Sequence, residues 1–383
     1  MKKEESKKKN IKFLLLGHLF LGASLVILSF FLPYFLKEKG LSILEIGVLF
    51  TIGLAFGSLI VSVLYSKILK KLKLKTGLAF SSFFSFISNF LVFLFPTSGG
   101  VLGSKISSEL EMNIQRVSED VTLQHNIYKN RHRKIGSSFL IIEGLAFTLG
   151  TIIALLTIPL FGFFYSFLIF SFLSLIPLFF YLKIKDKTRF KAKKKVKLSE
   201  LSMKLKLFLF SEILYWLALA SSFTLVITFL ITDKFSESFV WIGYLFIAVY
   251  GSIVITTFLT RKFFDKKDLT KTSILGMFIL FISALIIIFS TNIWTILGAF
   301  ILEGIGAAIW VPSKSAVYWK LTPKDQRENV SGYLSGFTGF VKALGPLVGG
   351  VLVVTLGILA PFYFKALLSL IVIGIYVYIL RKS

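Results

Sequence analysis

Apolar runs of about twenty residues recur along this chain about twelve times, each long enough to cross the ~30 Å hydrocarbon core of a bilayer as a helix. A soluble protein of 383 residues would instead show short apolar runs broken by turn signals. The spans fall at 11–36, 43–66, 76–96, 99–124, 136–158, 161–183, 207–232, 238–260, 272–290, 293–320, 329–355 and 361–380. The expected fold class is therefore an all-α membrane protein with twelve transmembrane helices.

Charge sets the orientation. The net charge is +25, and the cations gather in alternate short loops, where insertion topology places them, so nucleic-acid binding is set aside. With the N-terminus cytoplasmic, the inner side receives Lys67, Lys70 and Lys71, the run from Lys129 to Lys134, the central link and the tail, while the outer loops hold only Lys37, Lys39, Lys234 and Lys365. Both termini are expected inside, in a multi-pass protein of the cytoplasmic membrane. Residues 1–10 are expected to be disordered and 185–206 to be a basic linker, with six-helix units at 11–184 and 207–383. Cysteine is absent and histidine occurs three times, so no cofactor or Cys/His metal site is expected.

Internal repetition supports two halves. Ile-Gly-x-Leu-Phe at Ile46–Phe50 returns at Ile242–Phe246, and Arg131-x4-Gly136 returns at Arg327-x4-Gly332, both 196 residues on. The ionisable residues inside spans carry the functional signal, because a charge facing lipid costs several kcal/mol and instead turns to a bundle interior or a wet cavity. Span 4 places Lys105, Glu109, Asn113 and Arg116 along one side. Glu109 either exchanges a proton or is neutralised by Lys105 one turn away. Span 7 holds Glu212 and Trp216, and span 10 holds Glu303, Trp310 and Lys314 on one face. Lys342 in span 11 needs a partner across the bundle, Glu303 or Glu212. His18 and Glu143 are expected to serve helix–helix contacts. Spans 3, 6, 9 and 12 lack ionisable residues in their middles and are expected at the periphery.

On these features the chain resembles the major facilitator superfamily over nearly its whole length. The residues that carry the resemblance are the six-plus-six spans with a basic central loop, Gly-Leu-Ser-x3-Ile-Gly-x-Leu-Phe from Gly40 to Phe50, and Gly345-Pro346-x-x-Gly349-Gly350 in span 11. The resemblance implies two pseudo-symmetric six-helix bundles rocking about a central site, with Gly345, Pro346, Gly349 and Gly350 permitting close packing and flexing. In the loop after span 2 only the basic positions Lys67, Lys70 and Lys71 match the family's gating motif, and Ser66 stands where its aspartate belongs. Leu149-Gly150-Thr151 stands where many exporters of the family hold Gly-Pro in span 5, which speaks against drug antiport.

The expected function is secondary active transport of a small solute by alternating access in a monomer, with proton coupling through Glu109, Glu303 and Glu212. A lipid-modifying membrane enzyme and a non-transporting scaffold of the same family are the rivals. The first would need a nucleophile–base pair or a carboxylate–metal cluster, and the one Asp-x-x-Asp, Asp265–Asp268, reads as a solvated charge cluster.

Overall fold

In the computed structural model, residues 2–67, 74–126, 132–185, 198–260, 269–323 and 326–381 are described, and among them every extended element is helical. The first crossing is α1 (Lys2–Val26), a π turn (Ile27–Phe31) and α2 (Leu32–Glu38). The N-terminal residues expected to be disordered lie within α1, as the Lys/Glu-rich segment has good helix propensity and continues directly into an apolar run. After a turn in which Gly40 takes φ 87°, α3 (Ile43–Lys67) opens with a reciprocal cap. The Ser42 N–H donates to Glu45 Oε2 at 2.8 Å and the Glu45 N–H donates to Ser42 Oγ at 3.3 Å.

There follow α4 (Leu74–Leu94), α5 (Ser98–Asn126), α6 (His132–Leu173) and α7 (Ile176–Leu182), then α8 (Met203–Ser222) and α9 (Thr224–Phe229). The chain ends with α10 (Phe239–Thr260), α11 (Leu269–Ile288), α12 (Ile293–Leu321), α13 (Arg327–Leu356) and α14 (Ala360–Arg381). Ten helices, among the described residues, are long and apolar enough to cross a membrane. One of them, Ser137–Leu182, has 46 residues. At about 1.5 Å per residue it would be roughly 70 Å long, twice a bilayer core. Gly162, at φ 74° and ψ 169°, breaks it into two crossings. The polar α5 is too charged to count by hydropathy, yet it packs between α3 and α4. Both points are consistent with twelve crossings.

The 196-residue repeat is visible in the backbone. Gly40 and Ser236 stand 196 residues apart, and Ser236, at φ 55°, is the one non-glycine residue with positive φ among those described. The π turn of the first crossing begins at Ile27, and the equivalent position, Phe223, is where α8 breaks from α9. The two interfaces between halves, α3 with α13 and α6 with α10, are likewise repeat-related. In the first, a Cβ on Gly47 would lie 2.7 Å from the Pro346 carbonyl, and the Leu347 N–H donates to Thr51 Oγ1 at 3.2 Å. In the second, Gly243 faces Leu155 and Gly144 faces Val254, with Phe147 on Tyr250 between them. At the end bearing the α2–α3 turn, Phe30 stacks on Phe246 at 3.6 Å and Lys37 bonds Thr232 and Asp233.

Several buried polar groups hold neighbouring helices together within a half. Asn10 exchanges hydrogen bonds with the backbone of Lys185, tying α1 to the end of α7. Most of the expected basic linker lies outside the described residues. Lys365, read above as an outer-loop cation, is instead 3% exposed and paired with Glu303 at 2.7 Å. Ser283 of α11 donates to the other oxygen of Glu303 at 2.9 Å, so α11, α12 and α14 share one dry ion pair. Two predictions follow from this packing. A Cβ at Gly150 would meet Val26 Cγ2 at 2.6 Å and Ala23 Cα at 2.9 Å, so Gly150→Val should lower the melting temperature by several degrees, while Gly251→Ala, with nothing within 4 Å, should leave it unchanged or raised. Glu303→Gln should cost about 3–5 kcal/mol in a denaturant titration, and Glu303→Gln combined with Lys365→Met should recover more than half of it.

Candidate functional site

The central helix α5 presents Glu109, Asn113 and Arg116 toward the meeting plane of the two halves. Glu109 is 6% exposed and is held by hydrogen bonds: Ser58 Oγ donates at 2.9 Å and Asn113 Nδ2 at 2.6 Å. Gly57 makes this approach feasible, since a Cβ there would sit 2.6 Å from Glu109 Cβ. Across the plane, Gly339 of α13 is the facing residue, 3.9 Å from Glu109 Oε1 and from Ser58 Oγ as measured from the place of its missing Cβ. Lys105 does not bond Glu109. Its ammonium donates to the Leu28 carbonyl at 3.1 Å and lies 3.9 Å over the Phe50 ring. The physical reason is the π turn at Ile27–Phe31, whose i→i+5 spacing leaves a carbonyl short of its helical donor.

In the C-terminal half, Lys314 Nζ bonds Glu212 Oε2 at 2.6 Å and sits 3.9 Å over the Trp310 ring. Trp310 itself is fully buried, against Tyr215 at 4.0 Å, so it belongs to the core and offers only its face to Lys314. Lys342 Nζ lies 3.4 Å over the Trp216 ring. Neither Glu303 nor Glu212 is its partner, because each is already neutralised by a nearer lysine, Lys365 and Lys314. Glu303 faces α11 and α14, so it stands outside the seam although Trp310 and Lys314 follow it along the same helix.

What the structure brings together is a smaller set. Lys342 lies within electrostatic reach of Arg116, Glu109, Lys314 and Glu143, and Arg116 acts on Lys314 as well. Arg116, Asn113, Trp216, Lys314 and Lys342 are all partly exposed, deep inside their helices. Glu143, expected in a helix–helix contact, is exposed and faces this same space. A separate hollow bounded by Leu209, Phe210, Ile213 and Phe337 contains none of these groups.

The packing residues named from the sequence divide between two neighbours. Gly345 and Gly349 press α13 onto α8, where added Cβ atoms would meet the Ala220 and Ser221 carbonyl carbons at 2.7 and 3.0 Å. Pro346 and Gly350 face α3, at Gly47 and at Ile43–Leu44. Lys67 is the last residue of α3, whereas Lys70, Lys71, Asp265 and Asp268 lie outside the described residues.

Sequence reasoning missed a second polar cluster inside the N-terminal half. His18 Nδ1 and Glu119 Oε1 are 2.9 Å apart, and Gln115 Nε2 donates to the same oxygen at 2.9 Å. Glu111 is fully buried beside them with neither oxygen bonded. His18, expected in a helix–helix contact, makes one here from α1 to α5, while its partner Glu119 was not named from the sequence.

Comparison with known proteins bears on the fold. Residues 214–383 match the model of the Major Facilitator Superfamily. Multidrug resistance protein 2 of Bacillus subtilis (strain 168) is 33% identical over 143 residues, a match covering 37% of this chain and 35% of that protein's length. The human organic anion transporter MFSD10 (TETRAN) superimposes with a TM-score of 0.73 at 16% identity, over 97% of this chain and 99% of that one. A bacterial homologue of the iron transporter ferroportin, in its outward-facing state, gives 0.72 at 16% identity with the same coverage. The C-terminal half thus matches the Major Facilitator Superfamily in sequence, and the whole chain shares the fold of these solved transporters.

Proposed function

We propose that this protein is a secondary active transporter, and not an enzyme, which carries a small solute through the seam between its two six-helix bundles by alternating access. The supporting observation is that Arg116, Trp216 and Lys342 remain partly exposed in mid-helix, where lipid-facing charge is too costly to retain. The cation distribution favours insertion in the cytoplasmic membrane with both termini inside. Closure at the α2–α3 end then corresponds to an outer gate formed by Lys37 with Asp233, Phe30 with Phe246, and Thr51 with the Leu347 backbone. Transport requires these contacts to part while the opposite end closes.

Of the three acids first considered for proton coupling, Glu212 and Glu303 are committed to lysines. Glu109 alone keeps neutral partners at the interface of the halves, so the coupling role is assigned to it. The relative named for multidrug resistance suits an amphipathic cargo, although the span 5 sequence argues against drug antiport.

Two measurements in proteoliposomes test this reading. Because the chain has no cysteine, Lys37→Cys with Asp233→Cys can be bridged by a short bifunctional thiol reagent. Bridging should reduce solute counterflow at least tenfold, and unchanged counterflow would rule out opening at that end. Glu109→Gln should retain counterflow and lose acceleration by a pH gradient; a variant that still follows the gradient removes Glu109 from coupling.

A further inference from the structure

Two cations of the seam are left without a protein partner. Among the described residues, neither the Arg116 guanidinium nor the Lys342 ammonium donates a hydrogen bond to any group, and the Lys342 ammonium lies over the face of Trp216. Gly339 meets Glu109 where α13 approaches α5, and Lys342, one turn on from Gly339, lies within electrostatic reach of Arg116 as well as of the acids Glu109 and Glu143. The acids that could relieve this pairing are engaged or displaced. Glu109 is bonded by Ser58 and Asn113, Glu212 by Lys314, and Glu143 is solvent-exposed. Two like charges within reach of one another at the edge of a low-dielectric interior repel, and an anion placed between them relieves that repulsion.

We propose that the seam binds a small organic anion, with its carboxylate or phosphate between Arg116 of one half and Lys342 of the other and its planar or apolar body against Trp216. The chemistry of the three groups fits this cargo. A guanidinium presents a planar fork that matches two oxygens of an oxyanion, and an ammonium supplies a point charge to the same group. The indole offers a flat apolar surface, and it already holds Lys342 in place from behind by cation–π attraction. Since Arg116 is on α5 and Lys342 on α13, the anion bridges the two bundles and cancels the repulsion between them. An empty seam is thereby disfavoured in the closed arrangement and an occupied one favoured, which is the differential affinity that alternating access requires.

This inference rests on the transporter reading above, but its test needs no translocation. In detergent-solubilised full-length protein, free of added organic anions, Arg116→Gln and Lys342→Gln should each raise the melting temperature, because each removes one of two opposed charges. Benzoate and phenyl phosphate should raise the melting temperature of the wild type, less so at high salt; the larger shift tells carboxylate from phosphate. Either glutamine variant should weaken the binding of these probes at least tenfold, and Lys342→Arg should restore it. Tetraphenylphosphonium should have no effect. Lower melting temperatures in both glutamine variants would show that the two cations are satisfied within the protein, and stabilisation by tetraphenylphosphonium alone would show a site for cations; either overturns the proposal. A protein that passes these tests and fails counterflow binds an anion without carrying it, whereas one that fails them and passes counterflow transports something else.

Discussion

An ionised side chain within a bilayer has three ways to avoid the cost of hydrocarbon: an opposite charge, a set of hydrogen bonds, or water. The architecture sorts its ionisable groups among these. Glu303 with Lys365 takes the first, as a dry pair joining three helices of one half. Lys105 takes the second, on a backbone carbonyl and an aromatic face. Arg116, Lys342 and Glu143 have neither an ion pair nor a hydrogen bond among the described residues, and Arg116 and Glu143 both lie within electrostatic reach of Lys342. The meeting plane of the halves is thus the place where charge remains after the structural pairs have formed.

The two-fold relation between the bundles gives this seam its mechanical setting. Equivalent helices, α3 and α10, form the two inter-bundle contacts with equivalent partners, α13 and α6. Lys37 and Asp233 are 196 residues apart and bond each other, as residues do when related positions meet across a pseudo-two-fold axis. Opposite charges at these equivalent positions turn a symmetric collision into an attraction. The first crossing of each half is also interrupted near that axis, by the π turn at Ile27 and by the break at Phe223. Such interruptions free backbone groups and permit bending, where an unbroken helix resists both.

Much of the architecture was legible in the linear chain because membrane insertion is governed by local quantities. Length and apolarity of a run decide whether it crosses, and an echoed Ile-Gly-x-Leu-Phe marks a duplicated unit. The sequence names Glu109, Arg116, Lys314 and Lys342 for the same reason: a charge at mid-span has to leave the lipid face.

Which charge meets which was not legible. Lys105 and Glu109 are one turn apart and do not pair, while Glu303 and Lys365 are 62 residues apart and do. Glu119 meets His18 from 101 residues away. A sequence states how many charges must be satisfied and on which helix each begins. The partner is fixed by rotation and tilt of whole helices, by a glycine such as Gly57 that lets two backbones approach, and by a π turn that exposes one carbonyl. The fold class, the span boundaries and the duplicated plan were therefore set by local hydropathy and charge, whereas the division between paired and unpaired charges among the described residues was decided only when the helices packed, because electrostatic energy in a low-dielectric medium depends on distances that one-dimensional order does not contain.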